Sequence, residues 1–170
     1  MSDITRRALV KASTGTMVAM VAPIACAHGA ANTQPTQGRP HTDIQRFEPT
    51  SIAPGIPLIS YVVVHRDIVY LAGITAVQAI LASGGRLGDV ADQTRRTLAH
   101  IDTLLAAAGT TKAKLLSAQV WLTDMKNFAA HNDAWNEWVD PKNPPARACL
   151  VSPQLFYPGL LVEIMVTAAK

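Results

Sequence analysis

Cysteine is scarce in this chain of 170 residues, with only Cys26 and Cys149 present. There is no Cys-x-x-Cys, and no two of the five histidines stand three or four residues apart. That removes the ligand spacing that structural zinc sites and metallohydrolase helices require. Nucleotide loops are missing as well: there is no Gly-x-Gly-x-x-Gly, and Gly84-Gly85-Arg86-Leu87-Gly88 lacks the lysine of a P-loop. No Gly-x-Ser-x-Gly turn is present to raise a serine nucleophile. Charged residues make up 16% and aromatics 5%, with no run that interleaves Lys or Arg with aromatics. The net charge is +3, but residues 1–27 hold Arg6, Arg7, Lys11 and Asp3, a net of +2, which leaves +1 for the remainder. A nearly neutral remainder argues against a strong nucleic-acid surface.

Apolar residues make up 49%, enough for one domain with a core of its own. The first 27 residues read as a targeting segment. Thr5-Arg6-Arg7-Ala8-Leu9-Val10-Lys11 carries paired arginines, a weakly apolar stretch follows, and Ala25-Cys26-Ala27 offers small residues for cleavage. This resembles a Tat signal and predicts a periplasmic protein. A lipid anchor at Cys26 is the alternative, which Pro23 disfavours. Residues 28–50, rich in Ala, Thr, Gln, Pro and Gly, read as a flexible linker. The fold is expected over 51–170. With Cys26 removed, Cys149 is alone and makes no internal disulfide.

Ile56–Val64 and Ile68–Ala72 read as two strands joined at His65-Arg66-Asp67, a hairpin. Residues 74–87 read as a connection with a turn at Gly84-Gly85. Asp89 is a good N-cap, and Val90, Thr94, Thr97, Leu98, Ile101, Leu104, Leu105 and Ala108 recur at helical spacing up to Gly109. Residues 115–122 read as a strand with Leu116, Ala118, Val120 and Leu122 on one face. Asp124 opens a second helix with Phe128, His131 or Asn132, Trp135, Trp138 and Val139 as its stripe. Strands over 146–151 and 160–167 complete the order β-β-α-β-α-β-β, an α+β fold with two helices on one face of one sheet.

Two charges interrupt the last two strands, Arg147 and Glu163. Neither is stable buried alone. An ion pair between neighbouring strands, or side chains reaching out at an edge, accounts for them structurally. A functional account is also open: an arginine fork can grip a carboxylate, and a glutamate can position or deprotonate a water. Cys149 has no histidine near it in sequence, so it reads as a small buried hydrophobe rather than a nucleophile. Trp135 and Trp138 fit core packing.

Several segments together resemble the Rid (reactive intermediate deaminase, YjgF) family. They are Gly88-Asp89-Val90-Ala91-Asp92-Gln93-Thr94, Ala107-Ala108-Gly109, Val120-Trp121-Leu122-Thr123-Asp124-Met125, Asn127-Phe128 with Asn132, Pro145-Ala146-Arg147-Ala148-Cys149 and Val162-Glu163-Ile164. The resemblance covers about 58–168. It implies a chorismate-mutase-like fold and a homotrimer with sites in clefts between subunits. It implies hydrolysis of enamines or imines of small amino acids to 2-keto acids and ammonia, without metal or organic cofactor. Under it Arg147 holds the substrate carboxylate and Glu163 the attacking water. Tyr61, Gly73 and Cys149 line the pocket, and Asn132 is a structural or subunit-contact residue. Tyr61 sits closer to Gly73 than the family's pocket tyrosine does, and two further places differ from the family pattern: Ala72 replaces a small hydroxyl residue, and 74–80 is apolar. Both bear on which substrate fits, so an aminomuconate-like substrate and a non-catalytic trimer that binds small carboxylates stand as alternatives.

Overall fold

The alternating burial of the last strand fixes the layout. Val162, Ile164, Val166 and Ala168 are buried while Glu163, Met165 and Thr167 between them are only half-buried, so one face meets a core and the other is open. The computed structural model describes residues 43–47 and 58–170; of Leu81, Ala82 and Ser83 only the backbone is described. The twin-arginine segment 1–27 with Cys26, and most of 28–50, lie outside the described residues.

The strands are β1 (Ile44–Arg46), β2 (Val62–His65), β3 (Ile68–Leu71), β4 (Leu115–Leu122), β5 (Ala146–Val151) and β6 (Val162–Ala169). The helices are α1 (Val77–Ser83), α2 (Val90–Ala107) and α3 (Phe128–Trp138). They build one mixed sheet in the order β1-β2-β3-β6-β4-β5, with only β4 and β5 parallel. The fold is α+β, as expected, but longer than β-β-α-β-α-β-β by one strand and one helix.

Both additions correct the sequence reading. Ile44–Arg46, inside the stretch read as linker, pairs with β2. All three residues are exposed, so the strand rests on backbone pairing and carries no apolar alternation to reveal it. Residues 77–83, read as connection, form α1, which ends at Gly84 in the left-handed region (φ 68°). Its first turn lacks a capping side chain and an acidic residue, so the usual start signals are missing.

A third correction concerns β4. Leu116 is 47% exposed and Leu115 is buried, the reverse of strict alternation. A register shift between Leu115 and Ser117 changes the face at that point.

α2 and α3 pack on each other and cover the buried face. Asp89 caps α2 by accepting from the Asp92 N–H at 2.9 Å, and Gly109 follows its end at φ 78°. Asp124 caps a 3-10 turn, Met125–Asn127, that leads into α3. Gln93, wholly buried on α2, ties down the loop between β5 and β6. Its amide donates to the carbonyls of Gly88 (3.2 Å) and Gly159 (3.0 Å), and its oxygen accepts from the Leu161 N–H (2.8 Å). Trp138 joins the helices by donating to Asp102 at 2.8 Å. No helix among the described residues is long and apolar enough to cross a membrane.

Candidate active site

Arg147 occupies the second position of β5, the edge strand, and its Cα partner on β4 is the buried Ala118. Paired residues share a face, so the guanidinium projects to the helix side and meets α3. Nη1 donates to Asn132 Oδ1 at 2.8 Å, and Nη2 lies 2.7 Å from His131 Nε2. The Trp135 ring, one turn further along α3, lies under the guanidinium at 4.7 Å. Helical spacing makes this grip: residues 131, 132 and 135 share one face of α3.

Every one of these partners is neutral. Among the described residues no carboxylate comes within ion-pair distance of Arg147, and its Nε is buried without a partner. Burial pushes the arginine below its ordinary pKa, while neighbouring Cys149 works in the other direction. Burial also pushes His131 down, to about 4, assisted by the positive charge of Arg147. The histidine is therefore neutral at pH 7. Burial raises the Cys149 thiol, with Arg147 opposing, so it is not primed as a nucleophile.

Glu163 stands elsewhere. Its register partner is Trp121, which in turn faces Leu150, so it projects to the open side of the sheet. Burial alone raises its carboxyl above the ordinary value. It lies against Gly73, the residue after Ala72 at the end of β3: a Cβ there would collide with the Glu163 carboxylate. The backbone here is not left-handed, so a side chain at position 73 would act by pushing the Glu163 carboxylate aside.

The candidate residues thus fall into separate groups. Arg147, Asn132 and Cys149 come together on the helix side, and Glu163 and Gly73 on the open side. β4 lies between the strands that carry Arg147 and Glu163, so the ion pair between neighbouring strands is excluded. Two strand steps across and three residues along put their Cα atoms about 14 Å apart. Tyr61 is a third group: its hydroxyl lies 3.4 Å from Gln78 Nε2, and its ring meets His100 edge-on at 6.3 Å. A hollow of about 400 Å³ lined by Ser117, Gln119, Ala148, Met165 and Thr167 touches Arg147 but not Glu163, Gly73 or Tyr61.

Sequence reasoning placed His131, Thr94 and Trp135 in helix stripes and gave them no part in the site. The tertiary contact from α3 to β5 is what recruits them. No group of three or more His, Cys, Asp or Glu among the described residues could hold a metal.

A family model described as Endoribonuclease L-PSP matches residues 50–170. A RutC family protein of Haemophilus influenzae is 38% identical over 125 residues, 74% of this chain and 97% of that protein. The RutC family protein YoaB of Escherichia coli K12 is 36% identical over 110 residues, 65% of this chain and 89% of its own length. Among solved structures, a YjgF family member from Neisseria meningitidis superposes with a TM-score of 0.64 at 35% identity, covering 76% of this chain and 97% of that one. A Rid family protein from Yersinia pestis gives a TM-score of 0.65 at 29% identity, covering 75% and 99%.

Proposed function

The chain belongs to the RidA/YjgF/RutC superfamily, and from that premise we propose that it hydrolyses imines and enamines of small amino acids to 2-keto acids and ammonia. The observation that carries this reading is Arg147: a half-buried guanidinium held by neutral groups, with no carboxylate of the described residues beside it. Such a cation suits a substrate carboxylate, which would supply the missing counter-charge.

The chemistry asks little of the protein. An enamine tautomerises to the imine, and protonation of the imine nitrogen makes its carbon electrophilic. Water adds there and gives up one proton to form a carbinolamine; its nitrogen takes up a proton, and as the C–N bond breaks and ammonia leaves, the hydroxyl loses its remaining proton and the carbonyl of the keto acid forms. Glu163, with its raised pKa, suits the proton transfer from water to nitrogen. Arg147 supplies orientation.

Because Arg147 and Glu163 face opposite ways, we place the site where Arg147 of one subunit approaches Glu163 of another, in the homotrimer that the family resemblance implies. Tyr61 and Gly73 would complete the cleft, and Asn132 acts by holding Arg147. For residues 1–27 we propose Tat export to the periplasm, tested by fractionating cells with and without Arg6→Lys/Arg7→Lys.

The direct test is ammonia release from freshly generated 2-iminopropionate. Wild type should accelerate it, and Arg147→Ala should raise KM by about tenfold or more. Equal KM in the two would sink the carboxylate grip. The description of the family model favours a second reading, ribonuclease activity. The +1 charge left outside residues 1–27 weighs against it. RNA cleavage that copurifies with the protein through several columns and is lost in Arg147→Ala would support it.

A further inference from the structure

The hydrogen bonds behind Arg147 run in one direction. Thr94, on α2, donates its hydroxyl hydrogen to the Val90 carbonyl at 2.7 Å. Its oxygen then has only acceptor capacity for His131 Nδ1, 3.0 Å away. The Nδ1 must carry the proton, which leaves Nε2 as a bare acceptor for the Arg147 Nη2 hydrogen at 2.7 Å. His131 and Thr94 are wholly buried, so no water competes for these partners.

We infer that His131 is a positioning residue: with its tautomer set by Thr94, it holds the Arg147 guanidinium in orientation without neutralising it. This rests on the reading of Arg147 as carboxylate anchor. An aspartate or glutamate at position 131 would hold the arginine equally well but would occupy its charge. A neutral imidazole accepts one hydrogen and leaves the positive charge for the ligand. Asn132, beside it, does the same for Nη1. Each terminal nitrogen of the guanidinium keeps a second hydrogen for the substrate.

A merely structural histidine would affect stability but not the split between binding and turnover. His131→Leu, which fills the space without an acceptor, should raise KM for 2-iminopropionate about tenfold with kcat changed less than about twofold. His131→Gln, which restores a neutral acceptor, should recover most of the loss. Thr94→Val, nearly isosteric, should raise KM by a smaller factor. Unchanged KM in His131→Leu, or His131→Gln as impaired as His131→Leu, overturns the inference.

Two readouts do not depend on turnover. The ring-nitrogen NMR shifts of His131 in wild type should report Nδ1–H and bare Nε2; the opposite tautomer overturns the relay. Pyruvate binding, measured by calorimetry, should weaken about tenfold in His131→Leu. If wild type turns over no imine yet binds pyruvate in a His131-dependent way, the deaminase reading fails and this one stands. Pyruvate binding that is absent or equal in the two proteins overturns this one.

Discussion

Arg147 and Glu163 leave the same sheet from opposite faces, on strands separated by β4. Arg147 turns toward α3 and Glu163 toward the open side, against Gly73. On the proposed function, a protomer carries two half-sites, one to grip and one to move protons. The three-residue offset along the strands keeps them apart even at the edge. The consequences can be tested residue by residue.

The first concerns Glu163. Burial raises its pKa, so it stays protonated to a higher pH than an ordinary carboxyl and becomes a base only above that value. Activity through this base should rise with pH, with the acid limb of kcat/KM above the usual glutamate range. Glu163→Gln should lower kcat by roughly 10²- to 10³-fold and remove that limb from the residual activity. A limb retained in Glu163→Gln assigns it to another group.

Gly73 should behave as part of the same half-site. Adding a methyl group there displaces the Glu163 carboxylate, and the backbone needs no glycine conformation. Gly73→Ala should therefore cut kcat by about tenfold or more with little change in Tm, and should add almost nothing in a Glu163→Ala background. Additive losses would show that the two act separately.

Gln93 is predicted to serve stability alone. Its side chain satisfies two carbonyls and one N–H that join α2 to the β5–β6 loop. Gln93→Leu leaves those groups unpartnered and should cost about 2–4 kcal/mol in urea unfolding. Activity per folded molecule should hold within a few-fold, since Gln93 touches neither half-site. An unchanged urea midpoint would contradict this assignment.

Local signals made most elements legible. Asp89 and Gly109 bracket α2, and residues 146–151 stand out between prolines and a polar turn. β1 was hidden because exposed residues leave no apolar pattern, and α1 because its start lacks a cap. The candidate site was legible as residue types, since Arg147 and Glu163 are conspicuous in apolar runs. Their arrangement was not: strand order places β4 between them, and only tertiary packing brings His131 to Arg147, sixteen residues away in sequence. Spacing along a chain reports faces of one element, not which element lies beside it.

The central claim is that Arg147 and Glu163 of different subunits make one site, and subunit mixing tests it most directly. Arg147→Ala and Glu163→Gln chains, each strongly impaired alone at substrate concentrations well below the wild-type KM, are co-expressed in equal amounts, purified as mixed oligomers and assayed under that condition. Each mixed trimer pairs an intact arginine with an intact glutamate at one interface in three, so the purified mixed trimers should return about a third of wild-type imine hydrolysis. No recovery in oligomers shown by mass spectrometry to be mixed would contradict the claim and require both residues of a site to come from one chain.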